Sequence, residues 1–128
     1  MNRQFRKHYT RDEARALLPQ VRLWLERLNE QRILVEKLDQ RMGHIVHSGQ
    51  DAGGEMVNQR IRGLAKMKGV LQEFETRDLQ LKDLERGLVD FPTIIAGREV
   101  FLCWEQDEED IEFWHDLDTG YAGRERLG

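Results

Sequence analysis

Leu79-Gln80-Leu81-Lys82-Asp83-Leu84-Glu85-Arg86-Gly87-Leu88-Val89-Asp90-Phe91-Pro92 is the stretch in which the hydrophobic period changes. Before it, apolar residues recur every three or four positions, the spacing of a helix with one buried face. From Leu79 onward they alternate with polar or smaller residues, as Leu79, Leu81 and then Val89, Phe91 do, which is the period of a strand. Glu85-Arg86-Gly87 between the two runs supplies turn chemistry. Pro92, which cannot donate to a ladder, is expected to end or edge the second strand. The fold class that follows is α+β: a long antiparallel helical hairpin over about 10–78, then a small antiparallel β-meander over about 79–116 packed against it. The tail, 117–128, reads as irregular, and residues 1–128 read as one domain.

Upstream of the switch, Thr10-Arg11-Asp12-Glu13 is a capping box, with Tyr9 placed to staple onto Ala14. Pro19 lacks an amide donor and crowds the preceding turn, so the pattern predicts a short helix at 11–17, a kink or break, and a longer second piece with Pro19 in its first turn. That piece carries a seam, Val21, Trp24, Leu28, Gln31, Val35, Leu38, Met42 and Ile45, widened by Leu25, Leu34 and Val46. Ser48 to Gly54 reads as the reversal. The second helix presents Val57, Ile61, Leu64, Met67, Leu71 and Phe74 to the seam. Downstream, Ala96-Gly97-Arg98 is a turn into the strand Glu99 to Trp104. Glu105 to Asp110, with five acids in six positions, reads as a solvated acidic loop, and Ile111 to His115 as a last strand.

Composition bounds the function. The single Cys103 excludes an intramolecular disulfide and fits a reducing compartment. The charged N-terminal residues do not read as a signal peptide, and the longest apolar run, Val100 to Trp104, is far too short to span a membrane. The expected location is cytoplasmic. Residues 1–82 hold 16 Lys/Arg against 11 Asp/Glu, and residues 83–128 hold 4 against 13. Such halves attract one another within a monomer or across a dimer, or face different partners.

The C-terminal half carries Lys82-Asp83-Leu84, Gly87-Leu88-Val89-Asp90-Phe91-Pro92, Gly97-Arg98-Glu99-Val100, Leu102-Cys103-Trp104, Phe113-Trp114-His115-Asp116 and Gly120-Tyr121-Ala122-Gly123-Arg124. With Tyr9-Thr10, Glu13-Ala14 and Leu17-Leu18-Pro19, this order resembles the uncharacterised bacterial family called domain of unknown function 2203 over nearly the whole chain. The resemblance implies no reaction, cofactor or partner.

No string in the chain reaches the specificity of a catalytic signature. His115, between Trp114 and Asp116, reads either as a base or metal ligand, or as a packed imidazole bonded to backbone. Asp90 sits in an apolar strand, where a carboxylate needs a partner: Arg98 or Arg124 in a structural pair, or a metal or acid–base role without them. Cys103 has no neighbouring base in sequence and reads as a buried thiol. If its strand lies beside the last one, it and His115 converge with Asp83 or Asp90 into a mixed site that suits zinc. The candidate catalytic set is therefore Asp90, His115 and Arg124, and the candidate metal set is Asp90, Cys103, His115 and Asp116. Val57 to Gln72 has four bases (Arg60, Arg62, Lys66, Lys68) and no acid, but the pI near 5.6 argues against a dedicated nucleic-acid binder and for a basic face meeting the acidic half. Two readings stand. The wide apolar stripe and charge asymmetry describe a non-enzymatic interaction module forming a homo-oligomer, and the Asp90, His115, Asp116 cluster describes a small metal-binding protein or metal-dependent enzyme.

Overall fold

Thr10 opens the first helix as its box demands. Its amide donates to Glu13 Oε1 at 3.0 Å, and the Glu13 amide donates to Thr10 Oγ1 at 3.1 Å. The computed structural model describes residues 3–47 and 54–128; the expected reversal at Ser48–Gly54 falls outside them except for Gly54, as do the side chains of Val46 and His47. Helix α1 runs Arg11–His47 without interruption, so of the kink or break expected at Pro19 the break does not occur. Pro19 lies on the exposed side, where water can satisfy the carbonyl that its missing N–H leaves free, while Ala14, Leu18 and Val21 on the opposite side are buried. Burial of that face outweighs the lost hydrogen bond.

Helix α2 spans Gly54–Glu75 and packs along α1. Of the expected α1 seam, Val21, Trp24, Leu28, Val35 and Leu38 are buried, with Leu25 buried beside it, whereas Leu34, expected to widen it, is exposed. The face of α2 that meets it differs from expectation. Gly63, Met67, Val70 and Phe74 turn inward, whereas Val57, Ile61, Leu64 and Leu71 stay 37–57% exposed. Gly63 selects this face: a Cβ there would sit 3.1 Å from Val35 Cγ2, so the bare glycine is what admits α1 this closely. Trp24 and Phe74 close the contact at 5.4 Å between rings.

Five strands follow in a fully antiparallel meander of order β1-β2-β3-β4-β5: β1 Gln80–Asp83, β2 Leu88–Ile95, β3 Arg98–Glu105, β4 Phe113–Asp116 and β5 Glu125–Arg126. Ala96 and Gly97, both at positive φ, form the two-residue turn that fixes the β2–β3 register. Pro92 lies inside β2, neither ending it nor at its margin. Its carbonyl accepts from the Tyr9 amide at 2.7 Å on the side where the pairing with short β1 has already ended, so its missing N–H costs no ladder bond. The tail is more ordered than expected: a 3-10 turn, Tyr121–Gly123, returns it to pair Glu125 and Arg126 with β4. The last long strand is shorter than expected, and Ile111 is buried ahead of it.

Alternation divides the sheet into two faces. Val89, Phe91, Leu102 and Trp104 join Tyr9, Leu18, Val21, Trp24, Leu25, Leu28 and Phe74 in one core, so the inner face packs on the helices. Tyr9 is central to that junction. Its hydroxyl donates to the Arg77 carbonyl at 2.8 Å, and burial pushes its pKa up to about 12. The acidic loop is not merely solvated. Asp110 takes Arg15 at 2.7 Å, and the carbonyls of Gln106 and Glu108 take Arg22 at 2.6 and 2.8 Å. The two charge halves meet within the chain.

Candidate functional site

The outer face of the sheet, turned from the helices, carries the candidate site. The Ala96-Gly97 turn sets Asp90 opposite Cys103, and the β3–β4 register sets His115 opposite Phe101, one same-face position from Cys103. Three successive strands thus each contribute one group, and the donor atoms of Asp90, Cys103 and His115 all lie within 4.8 Å of one another. All three are buried; the side chains of His115 and Asp90 are 1% and 2% exposed.

His115 Nδ1 lies 2.6 Å from the Asp116 carbonyl oxygen, which only accepts, so Nδ1 carries a proton. Nε2 lies 3.0 Å from Asp90 Oδ2. With Nδ1 already a donor, that second contact needs one more proton, held on the imidazole or on the carboxyl. Burial alone would lower the His115 pKa, but the Asp90 hydrogen bond, the Asp116 carbonyl and the Asp90 charge together raise it. Asp90 Oδ1 is buried and has no hydrogen-bond partner among the described residues. The Cys103 thiol beside it is pushed up to about 12, first by burial and then by the Asp90 carboxylate, with Arg124 opposing.

The partner of Asp90 is His115, in place of the arginine expected. Arg98 ion-pairs with the Asp116 carboxylate at the surface. Arg124 reaches toward Cys103 but is held by Glu108 at 2.9 Å and stacked between the rings of Phe113 at 3.9 Å and Tyr121 at 4.2 Å. Asp116 therefore contributes its backbone carbonyl to the cluster, and its carboxylate points elsewhere. Asp83 caps the β1–β2 turn, accepting from the Arg86 amide at 3.0 Å. Among the helical bases, Arg60 pairs with Asp39 and Arg62 with Glu55, so these two meet helical acids in place of the acidic half.

Residues from both ends of the chain cover this face. Phe5 packs on Phe101 at 5.3 Å, Phe101 packs on His115 at 5.5 Å, and the tail brings Tyr121 and Arg124 across it. The segment bearing Phe5 is tied down by Glu99, which accepts from the amides of Gln4 and Phe5 and pairs with His8 Nε2 at 2.7 Å. Neither Phe5 nor Glu99 was singled out in the sequence, since no local pattern joins residues so far apart. The Asp90–Cys103 pairing, by contrast, follows from counting outward from the two-residue Ala96-Gly97 turn, one residue shorter than the turn expected at Ala96-Gly97-Arg98.

No helix among the described residues is long and apolar enough to cross a membrane. No curated protein and no solved structure matches the chain. A family model described as uncharacterized conserved protein, DUF2203, matches residues 7–127. That match takes in both helices, all five strands and the cluster, and the chain belongs to this family.

Proposed function

We propose that this protein is a non-enzymatic interaction module that self-associates through the outer face of α2. The observation that carries the reading is the row Val57, Ile61, Leu64 and Leu71, four large apolar side chains left 37–57% exposed on one helix while the sheet's outer face is roofed by both chain ends. The row ends at a cleft where Leu71 and Phe74 meet Leu79 and, on the edge strand β1, Leu81, so the apolar surface continues toward an open sheet edge. A symmetric pairing places the same row on both partners.

The non-enzymatic half of the reading rests on closure. No substrate reaches an imidazole and a carboxylate that are 1% and 2% exposed. Covering the exposed half of the four side chains is worth roughly 3–6 kcal/mol per copy before association costs, which supports a weak, reversible dimer. Lys68 lies within the row, so self-pairing brings like charges together, and salt should strengthen it. Sedimentation equilibrium up to about 100 µM tests this. A mass rising above 15.2 kDa with concentration, abolished by Ile61→Asp, is expected. A constant 15.2 kDa species refutes the reading.

A further inference from the structure

Asp90, Cys103 and His115 bring three donor atoms together from three strands, a carboxylate oxygen, the sulfur and a ring nitrogen, all within 4.8 Å of one another. Three features of the cluster go beyond what packing requires. Asp90 Oδ1 is buried without a partner among the described residues, a cost that a fold seldom tolerates idly. His115 Nδ1 is anchored on a backbone carbonyl, the arrangement that fixes a ring for ligation through Nε2. The donors are also of three kinds, thiol, imidazole and carboxyl, a mixture that suits zinc over magnesium or calcium.

Charge balance points the same way. As it stands, the cluster holds the Nδ1 proton, one proton shared between Nε2 and Asp90, and the thiol proton, and its net charge is zero. A divalent ion that displaces the shared proton and the thiol proton leaves M²⁺, a carboxylate, a thiolate and a neutral imidazole, again a net charge of zero. Two protons leave, no electrons move, and no buried charge is added.

We propose that Asp90, Cys103 and His115 form a closed structural site for one divalent transition-metal ion, zinc foremost, with Asp90 ligating through both oxygens. Tetrahedral zinc sets donors from different residues roughly 3.3–3.6 Å apart. The 3.0 Å Asp90–His115 contact therefore has to open by a few tenths of an ångström, and any wider separation within the cluster's 4.8 Å limit has to close. The ion staples β2, β3 and β4 on the sheet's outer face. Arg124, held by Glu108, stands beside the thiolate that forms. This proposal is independent of self-association through α2.

The test uses the full chain unfolded, stripped with a chelator and refolded with Zn²⁺ or Co²⁺, so that closure of the folded protein does not bar the ion. The expected result is one ion per chain and a thiolate-to-cobalt charge-transfer band. Tm should rise by about 5 °C or more over protein refolded with chelator. Cys103→Ser removes the band and weakens zinc binding by more than about 100-fold; if that variant does not refold, Asp90→Asn gives the affinity readout instead. Refolded protein holding no stoichiometric ion overturns the proposal. So does binding that keeps its affinity in the variant that folds, which places the ion elsewhere on the surface.

Discussion

The outer face of α2 and the outer face of the sheet break the inside–outside rule in opposite directions. On α2, four large apolar side chains are open to solvent. On the sheet, an aspartate, a histidine and a thiol are buried, with Phe101 packed on the histidine, Phe5 packed on Phe101 and Arg124 beside the thiol. Each is a departure that folding alone does not reward: the first leaves burial unused, and the second costs desolvation. The difference teaches where to look for each kind of role. An open apolar row suits a partner surface, and a closed polar cluster suits a bound ion.

The comparison breaks most readily at Asp90. Asp90→Ala leaves the His115 imidazole buried without its carboxylate and should lower the unfolding free energy by about 3–5 kcal/mol in urea titration. Asp90→Asn, whose amide can donate to Nε2, should cost far less in the metal-free protein, and the gap between the two isolates the polar contact from the packing. If Asp90→Ala is silent, the sheet face is not the sealed polar cluster described. Inside the hairpin, Leu28→Ala should cost about 2–5 kcal/mol. Leu64→Ala, on the outer face of α2, should stay within about 0.5 kcal/mol at concentrations where the chain is monomeric. Equal losses at the two positions would mean that α2 is turned differently from the face set by Gly63.

Smaller effects sharpen the picture at the edges. Arg15→Ala removes an exposed pair with Asp110 and should leave the urea midpoint nearly unchanged, despite its good geometry. Glu99 tests the roof over the sheet. Burial alone would raise its pKa, but the His8 hydrogen bond and the Gln4 and Phe5 amides outweigh this and hold it below the usual glutamate value. A lowered folded-state pKa gives a contribution present above the unfolded value and lost as pH falls through the folded one. Acidification should therefore free the Gln4 and Phe5 amides, read as a loss of protection there relative to the intrinsic exchange rate at each pH, before the core opens. Simultaneous loss of all protection would show that the roof has no independent stability.

Much of this architecture was legible in the sequence, and the particular failures have physical causes. The capping box, the α1 seam and the change of period at Leu79 each concern neighbours within one element, where local sterics decide. Pro19 misled because the rule against proline in helices assumes that its turn has nothing to gain, whereas Ala14, Leu18 and Val21 are buried around it. The facing side of α2 was misread because two overlapping apolar sets share Met67 and Phe74. The choice between them rests on Gly63, whose contribution is the absence of a side chain. In the site, Asp90 faces Cys103 because the turn is the two residues Ala96-Gly97; the three-residue turn expected at Ala96-Gly97-Arg98 would have set Phe91 there, and the irregular loop before Phe113 breaks the count to His115. The two-residue β5 is too short to show any alternation.

Covalent side-chain footprinting across a concentration series tests the central claim most directly, because it reads both faces in one sample. The account predicts that labelling of Val57, Ile61, Leu64 and Leu71 falls as concentration rises, while Asp90, Cys103 and His115 stay unlabelled throughout. Labelling of the α2 row that does not change with concentration, or protection that appears elsewhere instead, would contradict it.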